Sequence, residues 1–395
     1  MQRLLLAVVL IVCGATHSVA RGELAVLADG ESADQTGLIV RAQSPSTTIA
    51  PPPLRVAQDY TLQPTPYYPT TTVAPPVAVA QYDPYGNPVS SSVCPWADQC
   101  AGVFGEFLYW HVRNDSVSYA VPQNSLLLPG SAPIGPAGAT NFNFNFGYRA
   151  GGFIGLGSES RLVGTYTHFN NSTNSEVDAA APAVINPLVL FPGTFTPAFA
   201  AHTATASQSV NLQMIDVDYE AAAECCKQYW WGYIAGARYA QLDQAFSAAF
   251  AFAPPPGATN LNSAVNFNGI GPTAGLQGER IVFPSAGLRV YGKSTASFLV
   301  GQFQSSYVQT NAAAGTQVNT ALTSDRIVPV LDLEVGLAWV SPEQRVRISG
   351  GYMIAAWFNS VTEAAWIQSV QRADFSPGSN TLTFDGVTAR AEVRF

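Results

Sequence analysis

The sequence predicts an all-β protein, a closed antiparallel transmembrane β-barrel of about twelve strands behind a disordered Pro-rich N-terminal tail. Three observations lead there. Charged residues make up 11% of the 395 residues and hydrophobic ones 47%, whereas soluble domains carry about 25% charge. Beyond Cys100, apolar and polar residues alternate with a period of two and the charges gather opposite the apolar face, as a strand distributes its side chains. No stretch after the N-terminal apolar run supplies the roughly 20 apolar residues of a spanning helix, and only helices and closed barrels satisfy every backbone group in lipid. The formal net charge of −8 argues against a nucleic-acid binder, which gathers Lys and Arg on one face.

Taken in order, Arg3, the apolar run Leu4–Val12 and Ser18-Val19-Ala20 have the layout of a cleaved secretory signal over residues 1–20. Cys13 follows the bulky Val12, which does not suit lipid attachment. Residues 21–93 form a Pro/Thr/Ala/Gln-rich linker in which Pro51-Pro52-Pro53, Pro64-Thr65-Pro66, Pro75-Pro76 and Tyr82–Pro88 leave no periodic apolar face. Such a segment is expected to be extended or disordered, either a plain linker or a spacer touching cell-wall polymer. The exported chain keeps Cys94, Cys100, Cys225 and Cys226, and an even count in an oxidising compartment permits disulfides. Cys94 and Cys100 flank a short loop and are a candidate bridge. The adjacent Cys225 and Cys226 are expected to stay free, pair elsewhere or bind something.

Residues 94–395 are the expected barrel, opening with the candidate strands Val103–His111 and Val117–Val121. Asn141–Tyr148 puts Phe142, Phe144, Phe146 and Tyr148 on one face, with Asn141, Asn143, Asn145 and then Arg149 on the other. Leu162–Phe169 follows. In Val210–Glu220 the parity slips, since Leu212 and Met214 share a face with Asp216 and Asp218; a bulge or strand end with the acids turned inward would account for it. Tyr229–Ala240, Gly271–Arg280, Leu288–Gly292 and Ser297–Phe303 are further strands, Ser175–Ser207 and Ala251–Asn266 long outer loops, and no segment has a convincing amphipathic helical pattern. Leu331–Trp339 carries Asp332 and Glu334 on its polar face; after the turn Ser341–Gln344, Arg345–Phe358 carries Arg345 and Arg347 on its own. This hairpin is expected to bring those acids near those arginines. Val387–Phe395 ends the pattern, with Arg390, Glu392 and Arg394 opposite Val387, Val393 and Phe395. Aromatics at strand ends (Tyr109 and Trp110, Trp230 and Trp231, Trp339, Trp357 and Phe358) suit interfacial girdles.

The inward charges then line a pore. Arg149, Arg238, Arg345, Arg347, Arg390 and Arg394 alternate around the wall with Asp216, Asp218, Asp332, Glu334 and Glu392. Charge rings select ions and polar solutes, so the expected function is passive diffusion of small polar solutes and ions. The alternative is a structural or adhesive barrel without an open channel, anchored to the cell wall by its tail; a soluble exported sandwich is a third. No catalytic residue is assigned, because His111, His168 and His202 accompany no G-x-S-x-G elbow. Asp216, Asp218 and Glu220 could together hold a cation, but such a row is more often a polar pore wall, so neither metal nor cofactor is expected. Gly269-x-Gly271-x-x-Ala274 echoes a dinucleotide loop but contains Pro272 and opens no helix.

The run Phe104–Trp110, the segments Trp231-Gly232-Tyr233, Gly236–Tyr239, Gly269–Leu276 and Leu331–Leu337, and the closing Val393-Arg394-Phe395 resemble the Legionella-type pore-forming outer-membrane protein family, related to the Legionella major outer-membrane protein. The resemblance covers Val103–Phe395 and not the tail, and it implies a pore-forming outer-membrane β-barrel. The Pro-rich tail and the Cys94/Cys100 pair depart from the family pattern. Phe395, an aromatic closing the lipid face of the last strand, is similar to the C-terminal signal by which barrels are recognised for assembly. The expected partners are outer-membrane lipid, the barrel-assembly machinery, small polar solutes or ions, and cell wall through the tail.

Overall fold

The computed structural model describes residues 101–125, 131–194, 200–226, 228–253, 257–375 and 380–395. The expected signal, the linker and the Cys94–Cys100 pairing lie outside the described residues. The strands are β1 (Ala101–Arg113), β2 (Ser118–Gln123), β3 (Gly138–Ala139), β4 (Asn145–Gly155), β5 (Ser160–Asp178), β6 (Val184–Pro187), β7 (Ala200–Cys225), β8 (Tyr229–Ala253), β9 (Ala258–Phe283), β10 (Leu288–Asn311), β11 (Gly315–Val340), β12 (Val346–Ser360) and β13 (Asn380–Arg394). A single α-helix among the described residues, α1 (Glu363–Arg372), lies between β12 and β13.

All thirteen strands belong to one antiparallel sheet. Ten of them run in the order β7, β5, β4, β1, β13, β12, β11, β10, β9, β8, and β8 pairs back onto β7 to close the ring. The first and last strands meet from Gly102 opposite Arg394 to Arg113 opposite Thr383. The short β2, β3 and β6 hang from β7 through Ile185 opposite Ala201. The ring is narrower than the expected twelve strands because its strands are longer. β7, β9 and β11 have 26 residues each, where a bilayer needs about 9–11. Segments expected to be loops, Ala200–Ser207 and Ala258–Asn266, are parts of β7 and β9.

The added length reverses the polarity of the wall. On β9, Leu261, Val265 and Phe267 point inward and Asn260, Asn262, Asn266 and Asn268 outward; further along, Thr273, Gln277 and Glu279 point inward and Ile270, Ala274 and Leu276 outward. β11 changes in the same way, from Asp325 to Ile327 outside and from Val330 to Asp332 inside. β7 passes from Gln213 to Ile215 outside and from Met214 to Asp216 inside. The parity slip in Val210–Glu220 is this reversal and not a bulge, since β7 keeps its register with β8 from Thr203 to Ala222. One half of the ring has the polarity of a soluble protein, with an apolar interior; the other has the apolar exterior of a lipid-facing wall.

In the first half the lumen is filled. Leu108, Trp110, Phe169, Leu212, Leu242, Phe267, Phe303, Tyr307, Val328, Trp357 and Phe384 are at most 1% exposed and form one cluster, with the rings of Phe267 and Phe303 4.6 Å apart. Trp110, Trp230 and Trp357 therefore lie inside the ring, while their neighbours Tyr109, Trp231 and Phe358 face out. Consecutive strand residues alternate sides, so an adjacent aromatic pair cannot place both rings in one girdle.

α1 completes this filling. Thr362 caps its start by accepting from Ala365 N, Glu363 occupies the first turn, and Ala373 ends it in the left-handed region at φ 50°. Trp366, Ile367 and Val370 with Glu363 make the buried face, at the i, i+3, i+4, i+7 spacing of one helix side. The helix is tied in place by Trp366 Nε1 donating to Ser306 O at 3.0 Å and Gln371 Nε2 to Leu190 O at 3.1 Å. The sequence reading missed it because four buried positions between two strand patterns give a weak helical period.

Candidate lumen site

The interior of the lipid-facing half is built from charge. Inward positions on all ten ring strands carry it, and each ion is placed by strand parity. In the layer against the apolar filling, Arg238 on β8 donates through Nε to Asp216 and through Nη1 to Asp332, both at 2.6 Å. Arg149 on β4 reaches Glu106 on β1 at 2.9 Å and Thr167 at 3.1 Å. Glu334 accepts from Tyr291 at 2.5 Å and from Thr388 at 3.2 Å.

The second layer lies toward the turn end of the ring. Glu220 is shared by Arg161 at 2.7 Å and Lys293 at 3.5 Å. Glu279 is shared by Arg347 and, at 3.4 Å, Arg289. Glu392 is shared by Arg390 at 2.7 Å and Arg394 at 2.6 Å. All of these groups except Arg289 line a cavity of about 60 Å³.

Among the expected lumen residues, Arg149, Asp216, Asp218, Arg238, Asp332, Glu334, Arg347, Arg390, Glu392 and Arg394 all point inward. Arg345 does not: it is exposed in the turn ahead of β12, where its carbonyl accepts from Arg394 N at 2.8 Å. The expected hairpin pairing also fails. The tight turn sets Val340 opposite Arg347, Glu334 opposite Met353 and Asp332 opposite Ala355, so Arg347 reaches Glu279 on β9 and Asp332 reaches Arg238 on β8. The sequence reading missed Glu106, Arg161, Glu279, Arg289 and Lys293, although the same parity rule would have placed Glu106 and Glu279.

The row Asp216, Asp218 and Glu220 does share one face, but Asp216 and Glu220 are taken by arginines. No cluster of three or more metal-ligating side chains occurs among the described residues. His111 lies 3.9 Å from Asp385, His168 packs against Tyr148, and His202 contacts the Ala179 carbonyl. Cys225 is disulfide-bonded and Cys226 is a free thiol. Phe395 is 68% exposed, and its N–H donates to Ala101 O at 2.9 Å, fastening the chain end to the first strand.

A second polar cluster lies beneath α1, outside the lipid-facing wall. Asp115 Oδ1 accepts from Glu363 N at 3.2 Å and Oδ2 from Gln208 at 2.9 Å, while Ser263 donates to Glu363 Oε2 at 2.7 Å. Burial pushes the Asp115 carboxyl up to about 7 against these hydrogen bonds. Burial also raises Glu363 well above the usual carboxylate range, and the Asp115 charge adds to the shift. No Lys or Arg bonds either carboxyl among the described residues.

Comparison with known proteins gives a family and distant folds. No curated protein matches the chain. Among solved structures, the outer membrane protease OmpT from Escherichia coli aligns at 12% identity and a TM-score of 0.43, over 76% of this chain and 97% of that one. The toluene transporter TodX of P. putida aligns at 9% identity and a TM-score of 0.31, over 75% and 90%. The family model of the Legionella pneumophila major outer membrane protein precursor matches residues 101–395, the whole ring from the start of β1 to Phe395. The chain belongs to that outer-membrane protein family.

Proposed function

We propose that this outer-membrane barrel keeps its lumen shut, as a structural wall protein whose charged half is blocked by an apolar filling and α1. One observation carries the reading: every ring strand except β4 sends at least one buried apolar side chain into the filling. A water-filled passage wets the side chains along it, whereas Leu108, Phe169, Leu212, Leu242 and Val328 are fully buried. Under this reading residues 1–20 direct export, Phe395 serves recognition by the assembly machinery, the outward Ile, Leu, Val and aromatic residues meet lipid, and the tail contacts the wall.

A second reading, diffusion of small polar solutes and ions, is favoured by the charge belt itself. Opposed charges lining half the lumen are what selective permeation uses, and permeation would require α1 to leave. Reconstituted full-length protein separates the two. The closed reading expects neither swelling of liposomes by small sugars nor steady single-channel conductance. Swelling by the unaltered protein would overturn the closed reading.

A further inference from the structure

The cavity at the turn end of the charge belt is walled by charged side chains. It is lined by five cations, Arg161, Lys293, Arg347, Arg390 and Arg394, against four carboxylates, Glu220, Glu279, Glu392 and Glu334. A carboxylate neutralises one cation, so positive charge is left over inside a low-dielectric wall, where uncompensated charge is costly. The fourth carboxylate lining the cavity, Glu334, is held by hydroxyl groups of Tyr291 and Thr388.

Two of the arginines also fall short of their full set of acceptors. Arg347 and Arg390 line the cavity, and the Nε of each is buried with no hydrogen-bond partner. Arg347 is only 9% exposed, and its guanidinium packs 5.2 Å from the Tyr291 ring. The Arg390 guanidinium lies 3.6 Å from the Phe104 ring centre. Both guanidinium groups are thus held against an aromatic ring before any ligand arrives, and a fixed guanidinium fork suits the oxygen edge of an oxyanion. A cavity of about 60 Å³ has room for roughly four water-sized groups at about 15 Å³ each, the oxygen count of a tetrahedral oxyanion.

We propose that this cavity binds one tetrahedral oxyanion of the phosphate class, with Arg347 and Arg390 as its principal donors. The site lies on the turn side of the apolar filling, so it does not depend on whether the lumen conducts. Its ligand is a free inorganic phosphate or the phosphate of a lipid headgroup reaching in from the membrane edge.

The test is calorimetric titration of the full-length protein in detergent with sodium phosphate, against sodium chloride at equal ionic strength, with short-chain phosphatidylglycerol as a parallel titrant. Saturable one-to-one binding of phosphate is expected, weakened at least tenfold by Arg390→Gln and unchanged by Arg345→Gln in the exposed turn. Saturation by the lipid alone would assign the site to a headgroup, and by phosphate alone to the free ion. Binding that chloride matches, or that Arg345→Gln weakens as much as Arg390→Gln, would overturn the proposal. Should Arg390→Gln fail to fold, thermal melting of the unaltered protein decides: phosphate must raise the midpoint above that in chloride, and an equal midpoint sinks the site.

Discussion

Arg238 shows what one residue does in this lumen. It is buried and holds Asp216 and Asp332 at 2.6 Å each, tying β8 to its neighbour β7 and across the interior to β11. Removing one member of a buried ion cluster strands the others, at a cost of about 3–5 kcal/mol. Arg238→Ala should therefore lower unfolding stability by about that amount in denaturant titration of the detergent-solubilised barrel. Arg345→Ala, a change at an exposed turn, should stay within about 0.5 kcal/mol. A comparable loss from both would mean that burial inside the ring does not set the energy. The contrast also marks what was legible in the sequence at this scale. Alternation tells which way Arg238 or Asp332 points, because side-chain direction is a local property of a strand. It does not tell which partner each finds. Asp332 was expected near Arg345 and Arg347 through the hairpin, yet its partner is 94 residues away on β8, since ring closure brings distant strands around one narrow lumen.

At the scale of elements, α1 depends on a pair of buried carboxyls. Unfolded carboxyls ionise near pH 4, whereas burial holds Asp115 up to about 7 and Glu363 well above its usual range. The folded state therefore keeps protons that the unfolded state has already released, and stability must fall as pH rises. The contribution is intact below about pH 4 and for Asp115 is lost progressively up to about pH 7. For Asp115, moved from 3.8 to about 7, the loss is roughly 4 kcal/mol at about 1.4 kcal/mol per unit. Thermal midpoints measured from pH 4 to 8 should decline, and Asp115→Asn or Glu363→Gln should flatten the decline. A midpoint that rises over that range, or is untouched by either variant, would show that these carboxyls do not govern α1. None of this was visible in the sequence. Glu363 begins a ten-residue helix between two long alternating runs, and Asp115 bonds a backbone amide 248 positions away. The strands themselves were legible wherever alternation was regular, as in Val387–Phe395, and were cut short wherever the polarity reversed.

For the whole molecule, that reversal locates the bilayer. A strand that exchanges its apolar face for its polar one without a bulge must leave one environment for another, because the inside of a ring remains the inside along its whole length. On β8 the outward face is aromatic or small from Tyr229 to Tyr239 and turns polar at Gln241 and Asp243, an eleven-residue stretch that matches the roughly 9–11 residues of a tilted spanning strand. On β9 the change falls between Asn268 and Ile270, and on β11 between Asp325 and Ile327. A 26-residue strand such as β9 runs about 85 Å at 3.3 Å per residue, so more than half of it stands clear of the hydrocarbon. The apolar filling belongs to that outer part, where water surrounds the wall and the hydrophobic effect supports an ordinary core. The charge belt belongs to the spanning part, where lipid outside leaves only the lumen for polar groups. Quenching by lipids with brominated acyl chains tests the boundary directly. Ile270→Trp should add fluorescence that those lipids quench, and Asn262→Trp, eight residues further out on the same outward face, should add fluorescence they leave intact. Equal quenching at both positions would place lipid against the asparagine face of β9 and remove the distinction between the two halves on which the closed lumen rests.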